Sequence, residues 1–241
     1  MKNAKPQPTI NETLSTLGHC PESVDSLRAR ESSGGVQLGL SDMNPNTAAS
    51  LARVSDITFP PHQPTLTAGN VRLRPWRVDD ASVWAHASFD PEILSFTLIP
   101  GQVDIQSAIQ VIKSYRIGYA RTETAYFAVA DAASNEALGS MAIIAINHIH
   151  RRGEIGYWML PEARHHGIGH EALNMLTGWA INCGFARLEL VTNVDNLGSQ
   201  RLALSCDYVF EGTLRSYERG RQYREDLQIY SFITPGSEAK R

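Results

Sequence analysis

Trp158-Met159-Leu160-Pro161-Glu162-Ala163-Arg164-His165-His166-Gly167-Ile168-Gly169-His170 is the stretch on which the fold turns. A strand-like run ends at Leu160 and Pro161 interrupts it. Two glycines then open a segment whose Ile168, Ala172, Leu173, Leu176, Trp179, Ala180 and Cys183 recur at helical spacing. That stripe predicts a helix over 167–183, stopped by Gly184. The first turn of a helix presents amides without intrahelical partners, at the positive end of the helix dipole. Glycine there lets an anion approach the backbone, so a pyrophosphate is the ligand this junction suits. Taken alone, Gly-x-Gly also fits a plain strand–helix connection. No Lys-Ser/Thr follows as in a Walker A loop, and Ala172 stands where a dinucleotide fingerprint needs its third glycine.

Upstream, Val71-Arg-Leu-Arg-Pro75 alternates as a strand, and Asp79 or Asp80 is placed to cap a helix carrying Val83, Trp84 and Ala87. A helix is predicted over 104–119, with Ile105, Ala108, Ile109, Ile112 and Tyr115 on one face. Strand-like runs follow at 125–130, 138–146 and 154–160. Downstream come a strand at 187–192, a short helix at 197–204, and closing strands at 209–214 and 222–232. Strands first, then strand–helix–strand, predicts an α/β fold: a mixed sheet with helices on both faces.

Residues 1–64 differ. They are rich in Ser, Asn, Thr, Gly and Pro and end in Pro60-Pro61 and Pro64, which predicts a disordered or loosely attached tail. A marginal helix at 22–30 and a true start at Met43 are both compatible with this stretch. The domain is then 65–235, with a short tail over 236–241.

The 241 residues are 42% hydrophobic and 20% charged, with a formal net charge of −3, which argues against a dedicated nucleic-acid binder. Cys20, Cys183 and Cys206 form no CxxC pair, so a reducing cytoplasm fits better than a disulfide framework. No apolar run is long enough for a membrane span. His148, His150, His165, His166 and His170 match no metal-ligand spacing and read as a polar rim, so no metal is expected. Trp76, Trp84, Trp158 and Trp179 read as core, and Cys183 and Cys206 as small hydrophobes.

The run 153–179 resembles the acetyl-CoA-binding motif of the GNAT N-acetyltransferases, Arg/Gln-x-x-Gly-x-Gly/Ala, here Arg164-His-His-Gly167-Ile-Gly169. The nearer likeness is to the ribosomal-protein alanine/serine N-acetyltransferase (RimJ/RimL-type) branch. It is carried by Val71–Pro75 with Asp79-Asp80, by Arg151-Arg-Gly-Glu-Ile-Gly-Tyr-Trp158, by Pro161-Glu-Ala-Arg164, by Asp195-Asn196-x-x-Ser199 and by Phe210-Glu-Gly-Thr-Leu-Arg215. The likeness spans about 65–235. It implies a mixed, mostly antiparallel sheet splayed open where a thioester lies, with acetyl-CoA as cosubstrate. Trp158, Met159 and Leu160 would face the pantetheine amides, Arg164 would open the cofactor loop, His165 through His170 would cradle the pyrophosphate, and Asn196 would touch the pantetheine arm.

Amine acetylation needs a neutral amine, support for the oxyanion and a proton for the leaving thiolate. Glu154 and Glu189 match bases of two branches of the family, Glu154 being slightly favoured, and a structural ion pair with Arg151, Arg152 or Arg187 is the alternative for either. The tyrosine that one branch places seven residues after the asparagine is Ala203 here; Ser199 matches a serine that another branch places near the thiolate, and Tyr208 is a fallback donor. The implied acceptor is a protein N-terminal α-amine. A small amine (polyamine, aminoglycoside or amino-acid-like antibiotic) and a catalytically silent acyl-CoA-binding protein are the alternatives. A monomer and a homodimer are equally compatible with the sequence.

Overall fold

The computed structural model describes residues 56–220 and 223–237. The expectations for Cys20, the 22–30 helix, Met43 and positions 1–55, together with Gln222 and residues 238–241, lie outside the described residues.

Eight strands form one sheet in the order β1-β2-β3-β4-β5-β6-β8-β7. In chain order they are β1 (Leu66–Ala68), β2 (Val71–Pro75), β3 (Ala125–Asp131), β4 (Ala137–Asn147), β5 (Arg152–Met159), β6 (Arg187–Asn193), β7 (Val209–Arg219) and β8 (Arg224–Ile233). Among the described residues, five α-helices are α1 (Ala81–Ala87), α2 (Pro91–Phe96), α3 (Ile105–Ala120), α4 (Ile168–Asn182) and α5 (Leu197–Ser205). Every neighbouring pair is antiparallel except β5 and β6, which are parallel. The crossover between them is α4, as parallel pairing requires.

The helices divide between the two faces. The stripe of α4 (Ala172, Leu173, Leu176, Trp179, Ala180) packs with Phe127, Met141, Ile143, Ile155, Leu188 and Leu190. On the other face, α1, α2 and α3 bring Trp84, Ile93, Val111 and Ile112 against Trp76, Ala128, Trp158 and Leu160. All four tryptophans are buried, as are Cys183 and Cys206.

Asp80 is the N-cap residue of α1, but its carboxylate takes no helix amide. It forms a buried fork with Arg74 at 2.7 and 2.8 Å and accepts the Arg77 amide. Arg74 also reaches Asn135 in the β3–β4 turn. A buried charge needs a partner, and that need outranks the cap. Two short elements, β1 and α2, have no periodicity long enough to announce them.

The domain begins earlier than residue 65. Ile57 is buried in the α4-side core, and Phe59 packs on Tyr119, Trp179 and Phe185. The Thr58 amide donates to the Cys183 carbonyl, and the Tyr119 hydroxyl to that of Pro60. The polar composition around them hid two apolar anchors. No described helix is long and apolar enough to cross a membrane.

Candidate active site

β5 and β6 pair only at Arg152↔Arg187, Gly153↔Leu188 and Glu154↔Glu189. Beyond that rung β5 stays paired with β4 as far as Met159, and β6 with β8 as far as Asn193. The two strands therefore part, leaving 155–159 with one open edge of unpaired backbone groups. A sheet interior leaves such groups only where something else will pair them.

The loop expected to hold the cofactor begins where that edge ends. A 3-10 turn over Pro161–Ala163 leads to Arg164, and then His165 (φ 63°) and Gly167 (φ 76°) adopt left-handed backbone on either side of His166. No side chain caps α4. Its first amides are thus free for an anion. A Cβ at Gly167 would meet nothing within 4 Å, so glycine is demanded there by φ. A Cβ at Gly169 would make ordinary contact with Leu202 of α5.

The two candidate bases face each other at the last paired rung, in different electrostatic settings. Glu189 is held by Arg152 at 3.0 Å and by Arg187 at 2.7 Å, and Arg187 also forks onto Glu211. Glu154 has no such partner: burial, then the charges of Glu218 and Glu189, push its carboxyl up to about 7, with Arg152 opposing. Side chains alternate along β5, so Glu154 shares the face of Trp158, toward α1–α3, while Ile155 and Met159 join the α4-side core.

The Acetyltransferase (GNAT) domain family matches residues 70–209. The chain belongs to this family of acetyltransferases. GNAT relatives include the Bacillus subtilis protein described as "Uncharacterized N-acetyltransferase YoaA", 26% identical over 71% of this chain and 98% of its own length. The Escherichia coli ribosomal-protein-serine acetyltransferase is 28% identical over 41% of this chain and 56% of its own length. Among solved structures, the microcin C7 self-immunity acetyltransferase MccE, in complex with acetyl-CoA and AMP, superposes with a TM-score of 0.64 at 20% identity, over 69% of this chain and 94% of its own. As a GNAT member the protein is an N-acetyltransferase.

Within this GNAT domain the predicted residues separate into those that gather and those that do not. Trp158, Met159 and Leu160 lie along and just beyond the open edge, and His165 through His170 form the loop and helix start. Asn196 caps α5, its Oδ1 accepting the Ser199 amide at 3.0 Å, so that oxygen is committed. Ser199 is buried, and burial pushes the Tyr157 hydroxyl up, with the neighbouring Ser199 side chain opposing. His170 turns its ring to the Ser205 carbonyl, joining α4 to α5, and His148 bonds the Thr122 carbonyl. The hydroxyl of Tyr208, the fallback donor, is buried against that of Thr177 at 2.9 Å. The Arg164 guanidinium is committed to Met159, Asp90 and Glu92. Sequence reading missed Tyr157, Glu218 and the Asp90/Glu92 pair. The Asp-Pro-Glu start of α2 was the available signal for that pair.

Proposed function

We propose that this GNAT enzyme transfers the acetyl group of acetyl-CoA to a primary amine by direct attack in a ternary complex, with a protein N-terminal α-amine as acceptor. The observation that carries the reading is the parting of β5 from β6 at the Glu154–Glu189 rung beside an uncapped, glycine-turned helix start. Acetyl-CoA is the cosubstrate: the amides of 165–170 hold its pyrophosphate, and the open edge at Trp158–Leu160 takes its amides.

Glu154 on the α1–α3 face and Ser199 on the α4–α5 face flank the slot from opposite sides. Glu154 takes a proton from the amine as nitrogen attacks the thioester carbonyl. The C–S bond then breaks, and the Ser199 hydroxyl hydrogen-bonds the departing thiolate, which takes one proton from solvent to leave as the thiol while Glu154 returns the amine's proton to solvent. An α-amine has a reference pKa of about 7.7–8.0, against about 10.4 for a lysine amine. A carboxylate poised near neutrality suits the first, because much of that amine is already neutral. Glu189, held by two arginines, orients the rung.

One feature favours a second reading, a small polycationic amine. Glu218 and Glu225 stand cross-strand on the β7–β8 hairpin, and Glu218 is close enough to raise the Glu154 carboxyl. Like charges face each other there at a cost that a cation would relieve.

Free-thiol release from acetyl-CoA tests both. The expected order is peptides beginning with Ala or Ser first, the same peptides blocked at the N-terminus and offering only lysine second. Turnover of spermidine or an aminoglycoside with none of any peptide overturns the first reading. No turnover of any amine, with acetyl-CoA still bound, makes the protein a silent binder.

A further inference from the structure

Arg164 opens the Arg-x-x-Gly-x-Gly run, and its guanidinium joins three elements. Nε donates to the Met159 carbonyl at 3.1 Å, Nη1 to Glu92 at 2.7 Å and Nη2 to Asp90 at 2.7 Å. The arginine side chain is 18% exposed and that of Asp90 11%, so this is a largely desolvated pair. Asp90 has a second task. It caps α2 by accepting the Ile93 amide at 2.8 Å. Burial would raise its carboxyl, but that amide and Arg164 together bring it below the usual range.

α2 lies within a flap, residues 88–103, closed at Ser88. The Ser88 carbonyl accepts the Gln102 amide, and its hydroxyl donates to Ala85 and accepts the Val103 amide. Ile93 anchors the flap in the cluster that holds Trp158 and Leu160, the face that carries Glu154. Phe89, Phe96 and Leu98 of the flap remain exposed.

We propose that Arg164 is a positioning residue that couples the cofactor loop to this flap, so that seating acetyl-CoA on the loop fixes α2 over the acceptor side of the slot. The inference rests on the assignment of the α1–α3 face to the acceptor. Arg164 directly precedes the left-handed turn at His165, so a phosphate held by the following amides also fixes the arginine backbone. The planar fork then demands one placement of Asp90 and Glu92; a lysine ammonium, a point charge on a flexible stem, demands none.

The test compares wild type with Arg164→Lys and Asp90→Asn. Asparagine caps a helix about as well as aspartate, so the second variant keeps α2 and loses only the charge pair. Hydrogen exchange is followed over 91–96 with and without coenzyme A. Wild type gains protection on binding, and both variants lose that gain while coenzyme A Kd stays within about threefold. With a Ser-initial peptide, acceptor KM rises about tenfold in both variants, the size expected when a charged hydrogen bond is removed. Equal protection in all three proteins, or a rise in coenzyme A Kd with acceptor KM unchanged, overturns the coupling. If wild type fails to acetylate the peptide, the acceptor reading fails, and the exchange experiment still decides the role of Arg164.

Discussion

The two faces of the sheet carry the two halves of the proposed reaction in different kinds of structure. On the α4–α5 face the cofactor side is built from consecutive residues: a strand end, a turn, two left-handed positions and an uncapped helix, all within 158–170. On the α1–α3 face the acceptor side is assembled from far-apart residues. Arg164 meets Asp90 and Glu92 across more than seventy positions, and Glu154 feels Glu218 from the far hairpin. The backbone chemistry proposed to bind a constant phosphate is written locally. Side-chain fields that select a variable acceptor are not.

The largest expected effect breaks the cofactor half alone. Gly167→Val forces a β-branched residue into φ 76°, and Gly169→Glu sets a carboxylate at the phosphate site. Acetyl-CoA affinity by calorimetry falls by about a hundredfold or more, equivalent to roughly 2.7 kcal/mol, with the fold retained. Unchanged affinity in both variants removes the cofactor site from this loop.

A smaller effect is expected where the halves meet. Ser199→Ala lowers kcat about tenfold and leaves acetyl-CoA Kd nearly unchanged, because the lost hydrogen bond acts mainly on the departing thiolate. A change confined to Kd makes Ser199 a binding residue.

A last effect, on stability rather than on binding or turnover, touches neither half. A protein truncated through Pro60 lacks Ile57 and Phe59, whereas one truncated through Ser55 keeps both. Burying two such side chains contributes about 3 kcal/mol, so Tm differs between the two by roughly 5–10 °C, with acetyl-CoA Kd alike. Equal Tm values would mean that these two side chains add nothing.

The same contrast explains what the sequence disclosed. The helix stripe of α4, the β5 and β6 runs and the Gly167 turn are periodic or conformational signals, legible within a dozen residues. The ion pairs that separate Glu189 from Glu154 depend on strand register, and a carboxylate looks the same in sequence whether or not an arginine lies beside it. Asp80 was legible as an N-cap and is one by position, but Arg74 took its carboxylate. Ile57 and Phe59 were masked by the polar composition of their neighbours.

That separation of Glu154 from Glu189 is the central claim, and a pH–rate profile on one Ser-initial peptide tests it most directly. The account predicts that wild-type kcat/KM rises with pH through about 7 as Glu154 ionises, and further as the amine deprotonates near 8. Glu154→Gln abolishes the lower limb, so its defect is small near pH 6, where the wild-type carboxyl is still protonated, grows as pH rises through about 7, and then levels off. Glu189→Gln keeps that limb but moves it to lower pH, because one of the charges that raises the Glu154 carboxyl is gone. Thermal melting gives a parallel sign. A carboxyl raised in the folded state favours folding below its ordinary value near 4.5 and loses that contribution as pH rises to about 7. Glu154→Gln therefore raises Tm at pH 8 and not at pH 4. A pH-independent defect at Glu154, or a lower limb lost in Glu189→Gln and kept in Glu154→Gln, would contradict the account.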